Sequence, residues 1–92
     1  MEGNEYMEKG GGFEARLSEI RRRLHQCPEL DFALDETSAV VEEVLKELGI
    51  PWRRLAGSGI AALLEGRGHG RTVLLRADMD GLPVDEENDV PW

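Results

Sequence analysis

Two aspartates one residue apart, Asp78 and Asp80, close the apolar run Thr72-Val-Leu-Leu-Arg-Ala-Asp-Met-Asp-Gly-Leu-Pro83, with Arg76 just ahead of them. Alternate residues on an extended backbone face the same side, so both carboxylates can share one face. Such a pair can bind a hard cation, orient a metal-ligating histidine without touching the metal, or share a proton. A lone Asp-x-Asp also occurs as an ordinary strand-end turn, with Arg76 neutralising one carboxylate. Two histidines and one cysteine complete the reactive set. His25 falls one residue after an apolar helical stripe and just before Pro28, where it either bonds nearby backbone or supports a site. His69 lies in Gly66-Arg-Gly-His-Gly70, which lacks the Lys-Ser/Thr ending of a phosphate loop and leads into an apolar run rather than a helix. A turn between strands is the simpler account of it. Cys27, in Leu24-His-Gln-Cys-Pro28, has no metal-ligand spacing and reads as a structural thiol.

The elements that must position these residues follow from periodicity. Residues 1–12 end in Gly10-Gly11-Gly12 and read as a flexible lead-in. Phe13, Leu17, Ile20 and Leu24 follow the 4-3-4 spacing of one helix face, and Pro28 ends that helix. Glu29–Leu34 is a short connection anchored by Leu30 and Phe32. Asp35 is the expected N-cap of a second helix, whose apolar face is Val40, Val41, Val44, Leu45 and Leu48. Gly49 and Pro51 stop it. Trp52–Ala56 is expected as a short edge strand, Gly57–Gly59 as a turn and Ile60–Leu64 as a second strand. The glycine loop then joins Ile60–Leu64 to Thr72–Ala77 as a hairpin. Thr72–Ala77, apolar and β-branched, is expected as a strand buried on both faces, its carboxyl end placing Asp78 and Asp80 where α/β proteins bind ligands. Two helices followed by strands make an α/β or α+β opening rather than a closed set of elements.

Composition narrows the function. At 92 residues the chain is one small domain or a piece of a larger one. A chain this short buries only roughly 60–65% of its unfolded surface. The net charge of −8 argues against a nucleic-acid partner, which demands a basic surface. No apolar run approaches the ~18 residues of a membrane helix, and the acidic start is unlike a signal peptide. A single cysteine fits a reducing compartment, so a cytoplasmic location is expected.

Four blocks, in order, resemble one known family. Arg21-Arg-Arg-Leu-His-Gln-Cys-Pro-Glu-Leu-Asp-Phe32 resembles the "Arg-Arg-x-Leu-His-x-x-Pro-Glu-Leu-x-Phe" opening of the amidohydrolase branch of the aminoacylase/carboxypeptidase-type metallopeptidases. That branch includes hippurate hydrolases, N-acyl-amino-acid amidohydrolases and indole-acetyl-amino-acid hydrolases. Thr37, Val40-Val41 and Leu48-Gly-Ile50 match its second helix, and Gly57-Ser-Gly-Ile-Ala-Ala62 its "Gly-Thr-Gly-Val-x-Ala" block. Leu75-Arg-Ala-Asp-Met-Asp-Gly-Leu-Pro83 closely resembles "Leu-Arg-Ala-Asp-Met-Asp-Ala-Leu-Pro", and Glu86 and Pro91 keep the downstream spacing. The resemblance covers about residues 20–92. Leu34 stands where the family usually has a glutamate, and Gly81 where it usually has an alanine. The chain stops at Trp92, before the family's "His-Ala-Cys-Gly-His-Asp" motif.

The resemblance implies residues 13–92 are an incomplete N-terminal part of a larger zinc-peptidase-like α/β catalytic domain. The whole enzyme would use two divalent metal ions, zinc, manganese or similar, to hydrolyse the amide bond of N-acyl amino acids or related peptides. In relatives the metals lower the pKa of a bridging water and polarise the carbonyl while a glutamate takes the proton. By the same resemblance Asp80 orients a metal ligand and Asp78 supports the loop. Neither metal ligands nor the catalytic base can be mapped onto this chain. It is therefore expected to be inactive alone, to carry no metal, to bind neither nucleic acid nor membrane, and to associate through its uncovered strand. Whole relatives are expected to be homo-oligomers. The alternative is a free-standing acidic α/β module that binds a partner without catalysis.

Overall fold

The computed structural model describes residues 3–92, with side chains from Met7 onward. The chain forms two compact units, one of residues up to Cys27 together with Asp85–Trp92, the other Pro28–Val84.

The first unit holds two helices, α1 (Gly3–Gly11) and α2 (Glu14–His25). Helix α1 lies where a flexible lead-in was expected. Met7, Glu8 and Lys9 are good helix formers, and the glycines act as its terminator rather than as a linker. The Gly12 amide donates to the Glu8 carbonyl and the Phe13 amide to that of Gly10. Helix α2 follows the Phe13–Leu24 stripe, with Glu14 in its first turn and Arg22, Arg23 and His25 in its last, as the helix dipole favours. Its end tightens to three-residue spacing before Pro28, the Cys27 amide donating to the Leu24 carbonyl at 3.1 Å. The stripe is only partly covered. Phe13 and Leu17 are exposed, Ile20 and Leu24 half-buried.

The second unit is built on α3 (Asp35–Glu47) and a two-stranded antiparallel sheet of β1 (Trp52–Leu55) and β2 (Gly59–Ala62). Helix α3 ends as its Gly-then-Pro signal predicts. Gly49 takes φ +69°, its amide donates to Lys46, and the Ile50 amide reaches back to Leu45, the paired bonds of a Schellman motif. The start of α3 differs from expectation. The cap position is Leu34, Asp35 is already helical, and no side chain at the cap position bonds the helix. The carboxylate of Glu29 does so instead, accepting the Glu36 amide at 3.2 Å and the Thr37 amide at 2.6 Å.

The hairpin pairs Trp52 with Ala62, Arg53 with Ala61, Arg54 with Ile60 and Leu55 with Gly59. Ala56, Gly57 and Ser58 form the loop between the strands, Ala56 and Gly57 at φ +52° and +84°. A methyl group at Gly59 would lie 2.8 Å from the Leu55 carbonyl oxygen, so glycine is needed there. Helix and turn meet at Ser38. This fully buried residue donates its hydroxyl to the Ser58 carbonyl at 2.8 Å, and Leu34 and Thr37 are buried beside it in sequence.

The second expected hairpin does not form. Ile60–Leu64 and Thr72–Ala77 are not paired, and Thr72–Ala77 is neither helix nor strand. The segment expected to be buried on both faces is open, Val73, Leu74 and Leu75 being 80, 89 and 90% exposed. Composition makes a segment suited to a buried strand, but the ladder and cover that complete one come from neighbouring elements. Among the described residues none supplies them. The one hairpin and three helices among the described residues are compatible with an α/β fragment.

Candidate functional site

Within the second unit the Asp78–Asp80 segment lines an open cavity of about 390 Å³. Arg76–Asp80 form one wall, while Asp31, Phe32, Leu34 and Ser58 contribute to the rest. Both aspartates predicted from the sequence thus reach the same cavity. Their surroundings differ. Asp78 accepts a 2.6 Å hydrogen bond from Arg76, and this ion pair is well exposed on both sides. Arg76 therefore neutralises one of the two carboxylates. Asp80 is exposed, and the next residue anchors its loop. The Gly81 amide donates to the Glu29 carbonyl oxygen at 2.7 Å.

Gly81 sits over Pro28. A methyl group there would lie 3.7 Å from the Pro28 Cα, an ordinary contact, so alanine would fit at this position. The other departure from the family pattern, Leu34, is 5% exposed and fills the base of the second unit's small core. An uncompensated glutamate in the same space would bury a charge.

Glu29 is the residue that sequence reasoning left without a role. Its carboxyl is held below the ordinary carboxylate range, first by a hydrogen bond from the Thr37 side chain, then by the backbone amides of Thr37 and Glu36. Asp35, the cap expected from local spacing, hides this role in the sequence, because the structure starts α3 at Asp35 and leaves the cap position to Leu34. Glu42, on α3, is a second carboxylate with partners far along the chain. It accepts Trp52 Nε1 at 2.8 Å and Arg54 Nη2 at 2.5 Å, and with Arg54 the dominant cause its carboxyl falls to about 2.

In the first unit His25 Nε2 lies 2.9 Å from Glu86 Oε2 and its ring meets Trp92 edge-on, with centroids 5.9 Å apart. The neighbouring Gln26 donates its amide to the Trp92 carbonyl. Glu86 also accepts from Asn88, and with His25 as the larger cause its carboxyl lies below the usual range. His25 therefore bonds a side chain 61 residues away instead of the helix-end backbone. The Cys27 thiol is half-buried and points at the Arg23 and Leu24 carbonyls, 3.4 and 3.5 Å away. His69 is exposed in the glycine loop.

Among the described residues no group of three or more His, Cys, Asp or Glu side chains is placed to hold a metal ion. Nor is any described helix long and apolar enough to cross a membrane. The arrangement can orient and hydrogen-bond.

Comparison with known proteins gives relatives of consistent chemistry. The Bacillus subtilis protein YhaA, named as an amidohydrolase, is 45% identical over 83 residues, 89% of this chain and 21% of the relative. N-acetyl-L-cysteine deacetylase of the same organism is 42% identical over 80 residues, 86% of this chain and 19% of the relative. Thermostable carboxypeptidase 2 of Saccharolobus solfataricus is 43% identical over 78 residues, 83% of this chain and 20% of the relative. The chain thus spans about a fifth of the length of the curated relatives it matches. No family model matches it, and neither does any solved structure.

Proposed function

We propose, from the premise that this chain is a homologue of amidohydrolases and carboxypeptidases over about a fifth of their length, that it forms the N-terminal part of a metal-dependent amidohydrolase. Its substrates would be N-acyl amino acids or related peptides, and its metals two divalent ions. The observation that carries this reading is the match to the Bacillus subtilis relative named as an amidohydrolase across 89% of the chain. So wide a match leaves too few residues aside to miss the segment bearing Asp78 and Asp80.

The described residues do not fit a metal on their own, so ligands and general base would come from residues outside them. The chain's share is positional. Asp80 would orient a ligating side chain, and Asp78, tied to Arg76, would hold the loop in shape. A carboxylate that fixes a ligand's orientation and basicity is commonly worth about 10–100-fold in metal affinity or activity.

A chimera tests the reading. This chain replaces the corresponding fifth of the Bacillus subtilis N-acetyl-L-cysteine deacetylase, and acetate release from N-acetyl-L-cysteine is followed. The chimera is expected to turn over, its Asp80→Asn variant to lose about 10–100-fold in metal content or rate, and the 92-residue chain alone to show no turnover. Full turnover in the Asp80→Asn chimera, or hydrolysis by the chain alone, overturns it.

A further inference from the structure

We propose that Glu29 is a positioning residue of this site, its carboxylate capping α3 while its carbonyl oxygen holds the Gly81 amide, so that one residue fixes the Asp80 loop against the helix start. The proposal deepens the reading of Asp80 given above and rests on it for its functional meaning. Its geometry is independent of that reading.

The first three or four amides of a helix have no partner within the helix, and a side-chain oxygen close to the chain normally satisfies one of them. Here a carboxylate seven residues before the Glu36 amide satisfies two at once. One of them belongs to Thr37, which is 4% exposed, so water cannot easily replace the lost acceptor. The helix dipole adds to the preference for a charged group at that point. The capping carboxylate therefore fixes where the backbone of residue 29 lies.

That backbone is also the acceptor for Gly81, 52 residues downstream, at 2.7 Å. Pro28 lies beside the same glycine, and its ring fixes the backbone φ of the residue just ahead of Glu29. Moving residue 29 consequently moves the partner of the residue next to Asp80. Direct side-chain contact between Glu29 and Asp80 plays no part. The charged groups on the elements around Glu29 are Asp35 and Glu36 at the start of α3, Asp31 in the connecting turn, and Asp78, Asp80 and Arg76 in the loop. Most are acidic, so the hydrogen bonds and the helix terminus, not neighbouring cations, keep Glu29 charged.

The test follows amide signals of the intact 92-residue chain by NMR as the pH is lowered. The Thr37 and Gly81 amides are expected to shift together with one midpoint below 4.5, the ordinary glutamate value, and Glu29→Gln is expected to abolish both steps. Hydrogen exchange at Gly81 is expected to accelerate about tenfold in Glu29→Gln, the scale of a lost helix cap. A flat Gly81 signal through the Thr37 step overturns the proposal. So does a Gly81 step that persists in Glu29→Gln, or one shared in full by Ile60 and Ala62 of β2, which would report global unfolding. None of these outcomes depends on metal or turnover, so an inactive chimera leaves the test standing.

Discussion

Glu42 joins α3 to strand β1, beside the Ser38–Ser58 bond that joins the helix to the turn. Trp52 and Arg54 both donate to it, and its carboxyl lies at about 2 instead of 4.5. A depressed carboxylate stabilises the folded state fully above its unfolded value and loses that contribution as the pH falls through its folded value. The urea midpoint of the chain is therefore expected to decline from about pH 4.5 toward pH 2. Glu42→Gln should lower the midpoint at neutral pH and flatten that decline. An unchanged acid dependence in the variant would remove Glu42 from the account. Arg54 also donates to the Gly57 carbonyl, so Arg54→Ala is the harsher change, disturbing turn and helix contact together.

At the scale of elements, the hairpin turn makes opposite demands at two neighbouring positions. Ala56 sits at φ +52°, where a side chain is strained, whereas Gly59 is crowded by the Leu55 carbonyl at a negative or extended φ. Ala56→Gly is expected to raise stability by up to about 1 kcal/mol. Gly59→Ala should cost about 1–3 kcal/mol through overpacking. Thermal unfolding of the two variants checks both signs at once. The elements themselves were unequally legible. Helix α3, with its Schellman end, was readable because apolar spacing, Gly49 and Pro51 all act within a few residues of one another. The cap supplied by Glu29 was not, because its acceptor lies beyond the range in which capping residues are sought. The hairpin at Gly57 was legible as two strands and a turn, but the better-looking strand at Thr72–Ala77 has no pairing partner among the described residues. The site followed the same rule: Asp78 and Asp80 were found from local pattern, Glu29 and the His25–Glu86 pair only from contacts across the chain.

The whole molecule buries little. Among the described residues Leu34 alone of the hydrophobic side chains is buried, while Leu63, Leu64, Val73, Leu74 and Leu75 all stand open to solvent. At about 25 cal/mol per Å² of apolar area, such a surface favours any contact that removes it from water. The chain is expected to associate as its concentration rises and to bind a hydrophobic dye. Leu74→Lys with Leu75→Lys should suppress both, as seen by sedimentation velocity and dye fluorescence, with the helix signal in circular dichroism unchanged. A wild-type chain that stays monomeric and dye-free at high concentration would contradict the expectation.

The contact of Trp52 and Arg54 with one carboxylate has a further meaning for how the hairpin assembles. These are alternate residues of β1 and so project from the same face of the ribbon, with Arg53 and Leu55 on the other. A slip of one residue would turn Arg53 and Leu55 toward α3 and leave Glu42 without either donor. The turn at Ala56-Gly57 dictates the pairing from one end, and Glu42 reads it back from the helix. Two short strands with few side chains to align them thereby carry a proofreading contact: a mispaired hairpin would be recognised by the loss of both hydrogen bonds at once.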